Sequence, residues 1–125
     1  MNTRTIRRAV TFGASAVAFA ATAGLAPALA SPAPSLAETG SGVNIAVQGL
    51  DHSLLFYWAA NGTDTWHPET VAGAGTTYSA PSIAETGTGV NISAVGAGNS
   101  LMFYWATNGT DTWNPEQVAP PGSVV

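Results

Sequence analysis

Six of the seven acidic residues fall into matched pairs 47 positions apart, Glu38 with Glu85, Asp64 with Asp111 and Glu69 with Glu116. Aromatic and amide side chains keep the same spacing: Tyr57 with Tyr104, Trp58 with Trp105, Trp66 with Trp113 and Asn61 with Asn108. Aromatic faces accept the C–H groups of a sugar, and carboxylates and amides bind its hydroxyls. Each repeat therefore carries the side chains that carbohydrate recognition needs. The expected binding residues are Tyr57, Asn61, Asp64, Trp66 and Glu69, with their counterparts Tyr104, Asn108, Asp111, Trp113 and Glu116. Alternation along a strand puts Leu54, Phe56 and Trp58 on one face and Leu55, Tyr57 and Ala59 on the other. Phe56, Trp58, Phe103 and Trp105 accordingly read as core between repeats, because aromatics dominate cores.

Catalysis fits the same residues less well. A serine triad needs a histidine base, yet His52 and His67 are replaced by Asn99 and Asn114 in the second copy, and no Gly-x-Ser-x-Gly signature accompanies either one. A glycosidase needs an asymmetric acid and base pair, whereas duplication yields equivalent sites. Asn61, Asp64 and Glu69 lack the dense oxygen spacing of a known calcium loop, and Asp64 is more simply a turn cap. The chain has no cysteine, so disulfides and thiolate chemistry are absent. The expectation is a protein that is not an enzyme and uses no cofactor or metal.

Only 8% of the residues are charged, and the only basic ones are Arg4, Arg7 and Arg8. They introduce a small, apolar stretch from Ala9 to Leu25 that ends in Ala28-Leu29-Ala30, the pattern of a secretory signal peptide cleaved after Ala30. Residues 1–30 are thus read as a signal peptide and the protein as secreted. The remainder carries seven acids and no lysine or arginine. Phosphate backbones and anionic lipid surfaces are excluded as partners, since both are bound through basic residues.

The mature chain is one unit written twice. Aligned at an offset of 47, residues 35–72 and 82–119 share 26 of 38 positions without a gap. Each unit reads as four short antiparallel strands: Ser35–Thr39, Val43–Val47, Leu54–Ala59 and Trp66–Val71. Val43, Ile45 and Val47 form one apolar face, and Pro68 confines the last strand to an edge. Asn61-Gly62 is the hairpin signal, because both residues tolerate positive φ. Four strands in about 47 residues is the size of a β-propeller blade. The predicted fold is all-β: two four-stranded antiparallel propeller-type blades, blade 1 in residues 31–81 and blade 2 with a short tail in residues 82–125.

The order Pro-Ser-Ile-Ala-Glu, Val-Asn-Ile, Ser-Leu-Met-Phe-Tyr-Trp, Asn-Gly-Thr-Asp-Thr-Trp and Pro-Glu-Gln-Val-Ala in the second unit resembles a blade of the bacterial fucose-binding propeller lectins and of tachylectin and tectonin-type propellers. The resemblance implies sugar sites within or between blades, built from a tryptophan and an acidic residue. The fucose binders also use arginine, which the mature chain lacks, so an uncharged sugar held by Trp, Asn and Glu is the implied ligand. Two blades do not close a ring of about four to eight, and their outer faces need neighbours. A homo-oligomer follows, with a six-bladed trimer favoured by the resembling lectins. The expected function is lectin-like binding of neutral glycans. The alternatives are a secreted structural or adhesive module without a small ligand and, further off, a glycosidase-related propeller fragment.

Overall fold

A computed structural model describes residues 32–125; the signal peptide expected at 1–30 and its cleavage point lie outside the described residues. Eight strands form two four-stranded sheets. The first contains β1 (Ser35–Glu38), β2 (Gly42–Gln48), β3 (Leu54–Ala60) and β4 (His67–Ala72). The second contains β5 (Ser82–Glu85), β6 (Gly89–Gly96), β7 (Ser100–Thr107) and β8 (Asn114–Ala119). Both are antiparallel meanders in chain order, so the all-β fold and its two four-stranded sheets agree with the sequence reading. Pro68 stands in the edge strand β4, where its missing N–H costs no ladder bond on the outer side.

The turns explain several repeated residues. Thr39 Oγ1 accepts from the Gly42 amide at 2.8 Å, and Thr86 Oγ1 does the same for Gly89 at 3.0 Å. Glycine is required at the first position of both β2 and β6: a methyl group on Gly42 would overlap the carbonyl of Ala59, and one on Gly89 that of Ala106. After β3 the chain turns at Asn61-Gly62, but only Gly62 takes positive φ (81°), as the third position of a type II turn demands. The next strand starts at His67, which leaves Trp66 in the loop, one residue before the returning strand expected over Trp66–Val71.

His52 and Asn99 occupy the same left-handed position in the β2–β3 and β6–β7 connections, with φ of 63° and 65°. Histidine and asparagine are among the few non-glycine types that adopt it readily. The exchange between the copies thus preserves a backbone requirement. The His52 carbonyl accepts from the amides of Thr76 and Thr77 at 2.8 and 2.9 Å, and that of Asn99 accepts from Ser123 and Val124 at 3.1 Å. Each connection therefore ties down the segment that leaves its own sheet.

The core lies between the two sheets. It contains Ala46, Leu54 and Phe56 from the first and Val90, Ile92 and Tyr104 from the second, all less than a tenth exposed, with Trp58 and Trp113 packed at its margin. On β2 the residues turned into this core are Asn44 and Ala46, whereas Val43, Ile45 and Val47 remain half-buried. The reason is topological: the first sheet buries its β3 Leu54–Phe56 face on the second sheet, and among the described residues no sheet covers its Val43–Ile45–Val47 face. On β6 the equivalents of those three residues, Val90, Ile92 and Ala94, are the buried ones.

Candidate functional site

Where the two sheets meet, a cleft of about 710 Å³ opens. It is lined by Phe56, Trp58 and Trp113, by Asn44, Glu69 and Glu85, by Asn108, Thr110 and Asp111 from the β7–β8 loop, and by Thr39 and Ser41 from the β1–β2 turn. Strand pairing places these groups. Asn44 sits opposite Trp58 and Phe56 opposite Glu69, so β2, β3 and β4 deliver an amide, two aromatic rings and a carboxylate side by side.

Glu69 is the joint of the site. Its Oε2 accepts from the Trp58 indole N–H of the same sheet at 2.9 Å, and its Oε1 accepts from the Trp113 indole N–H of the other sheet, also at 2.9 Å. Trp113 in turn meets Phe56 edge-on, with ring centroids 5.0 Å apart and planes at 64°. An indole N–H removed from water needs an acceptor, and a charged one makes the stronger bond. Trp58 also stacks on His67, its cross-strand partner on β4, with ring centroids 4.1 Å apart and planes at 20°.

A second bond crosses the sheets above the first. The Asn44 amide donates to Glu85 Oε2. Partial burial raises the Glu85 carboxyl above its usual range, and the Asn44 hydrogen bond opposes that shift in part. A carboxyl raised in the folded state binds its proton more tightly there than in the unfolded chain. Its stabilising contribution is full below the ordinary carboxylate value and is lost as pH rises through the raised one. Glu85→Gln is therefore expected to melt above wild type at pH 7 and level with it below about pH 4, where a free glutamic acid is already neutral; thermal unfolding followed by circular dichroism at the two pH values checks this.

The ten expected binding residues separate into groups. Glu69, Asn108, Asp111 and Trp113 line the cleft together. Tyr104, 3% exposed, lies in the core and presents no surface to a ligand; burial also raises its phenol. Tyr57 is half-buried on the first sheet's outward face. Asn61, Asp64 and Trp66 are exposed in the β3–β4 loop. Glu116 accepts from the Trp105 indole at 3.3 Å on the outward face of the second sheet. Asn44, Glu85 and Trp58 complete the cleft and stood outside the expected set. The signal for Asn44 was a polar residue in the middle of an apolar strand, repeated at Asn91.

No protein-family model matches this chain, and no curated protein matches it either. What the site can do rests on its geometry. The cleft offers two indole rings, a phenyl ring, three carboxylates and several amides and hydroxyls, and among the described residues no cationic side chain lines it. Among the described residues no cluster of His, Cys, Asp or Glu is arranged to hold a metal ion.

Proposed function

We propose that the protein is a secreted, lectin-like carbohydrate binder that holds neutral sugars in the cleft between its two sheets. The observation that carries this reading is the composition of the cleft, in which aromatic rings stand beside carboxylate, amide and hydroxyl groups and, among the described residues, no basic side chain. A neutral polyol satisfies such a site, whereas an anionic ligand is repelled by Glu69, Glu85 and Asp111. The two sheets are taken as two blades of a propeller completed by further copies of the chain, with a six-bladed trimer as the favoured closure. Weak sugar contacts gain strongly when several equivalent sites share one assembly.

One observation favours a structural or adhesive module instead. Both oxygens of Glu69 are engaged by indole N–H groups, so this carboxylate can serve purely to join the sheets. Asp111 separates the readings, because it lines the cleft and is exposed, and among the described residues it bonds no other side chain. A glycan array should show binding to neutral glycans that falls at least about tenfold in Asp111→Ala, the loss of one hydrogen bond to a charged group. Absence of binding across a broad array would favour the structural module. Chromogenic glycosides should remain intact on prolonged incubation; hydrolysis abolished in Glu85→Gln would make the cleft catalytic.

A further inference from the structure

The two outward sheet faces are the two halves of the interface already formed inside the chain. Each position at the seam has a counterpart 47 residues away, and burial divides the pairs by side. On the first sheet's inward face Asn44, Ala46, Leu54 and Phe56 are buried, while Asn91, Ser93, Leu101 and Phe103 on the second sheet's outward face are half-open. In the opposite sense Val90, Ile92 and Tyr104 are buried, while Val43, Ile45 and Tyr57 are half-open. Trp113, half-buried, meets Glu69, whereas Trp66 is 45% exposed and Glu116 has only Trp105. The outward faces thus keep apolar and polar groups in the arrangement that the internal seam uses.

From this correspondence we infer that a second copy of the chain docks head to tail, the outward face of its first sheet covering the outward face of the second, with Trp66 of one copy bonded to Glu116 of the other and Glu38 of one to Asn91 of the other. The pairing follows the internal bonds from Trp113 to Glu69 and from Asn44 to Glu85, advanced by one repeat. Backbone contacts advance in the same way. The Ile83 amide donates to Ser35 Oγ at 3.2 Å inside the chain, so the Leu36 amide of the second copy meets Ser82 Oγ. The Tyr78 amide donates to the Val95 carbonyl at 2.8 Å, so Val125 reaches Gln48 of the second copy. A contact between unlike faces continues until the ring closes. The inference rests on the ring assembly proposed above, and it adds that a further cleft forms at the seam, with Asn91, Phe103, Trp105 and Glu116 from one copy and Glu38 and Trp66 from the next.

The chain has no cysteine, so a paired Glu38→Cys and Asn91→Cys variant reports on the seam alone. A short bis-maleimide should link it into dimers and higher multimers on a denaturing gel, while Asn44→Cys with Glu85→Cys should link only within one chain. Sedimentation equilibrium should give a mass above that of one chain for wild type. Phe103→Asp should weaken association on the order of 30-fold, the effect of removing an interface hot spot, with an unchanged far-ultraviolet spectrum. Trp66→Ala, a loop substitution that spares the core, should weaken it in the same direction. An assembled protein that fails to link through 38 and 91, or whose mass ignores both substitutions, overturns this seam and leaves another ring geometry standing. A single-chain mass for wild type overturns the seam and the ring together.

Discussion

Glu69→Ala lowers the stability of the folded chain by about 2–4 kcal/mol, because it leaves the indole N–H groups of Trp58 and Trp113 without their acceptor at the junction of the two sheets. A hydrogen bond to a charged group contributes about 1.5–3 kcal/mol, and partial exposure of Glu69 keeps the sum of two below its maximum. Both indoles border the core, so their loss also loosens the edge contact of Trp113 with Phe56. The same substitution at Glu116 removes one exposed 3.3 Å bond from Trp105. In a dilute, single chain it should change stability by less than about 0.5 kcal/mol. Urea unfolding of the two variants at low protein concentration measures the difference. Equal losses would mean that the internal seam does not depend on Glu69.

Leu54→Ala should cost about 2–5 kcal/mol, the range for truncating a buried leucine and leaving a cavity. Leu54 is fully buried, in one core cluster with Ala46, Phe56, Val90, Ile92 and Tyr104, so truncating it empties space inside the close-packed core. Its counterpart Leu101 is half-open on the outward face. Leu101→Ala in the dilute chain should therefore cost roughly 1 kcal/mol or less, since much of its surface never left water. Chemical unfolding again decides, and the order of the two losses is the point: two residues in the same repeat position differ only in which face has a partner.

Much of this architecture was legible from the repeat. The offset of 47, the alternation of apolar residues and the glycine turns locate eight strands to within a residue or two, because strand period and turn chemistry are local properties. Which face of each strand is buried was not local. Val43–Val47 reads as an inward apolar face, yet Asn44 and Ala46 take the inside in the first sheet, since two different faces of one repeat are used on its two sides. Each four-stranded sheet has two faces, and each of the two sheets buries one of them against the other. Tyr104 shows the same effect. As a tyrosine on a strand it reads as a ligand contact, and its position beneath the first sheet makes it core.

The candidate site was legible in its chemistry and less so in its members. Glu69, Asn108, Asp111 and Trp113 were singled out by type, and the structure gathers them in one cleft although Glu69 comes from the first repeat and the other three from the second. No spacing within a single repeat could have joined them. Trp66 and Trp113 are identical by repeat and different in setting, the first exposed in a loop and the second bonded across the seam. Duplicated residues need not form duplicated sites when the two sheets present different faces to the seam between them.

The most direct test of sugar binding in the cleft is a nuclear magnetic resonance titration of the folded chain with a neutral glycan that the array selects. The account predicts shifts at the Trp58 and Trp113 indole N–H groups, at the Asn44 and Asn108 side-chain amides and at the backbone amides of Thr110 and Asp111, saturating together and needing at least about tenfold more glycan in Asp111→Ala. Shifts confined to residues outside the cleft, with these signals unmoved at saturation, would contradict it.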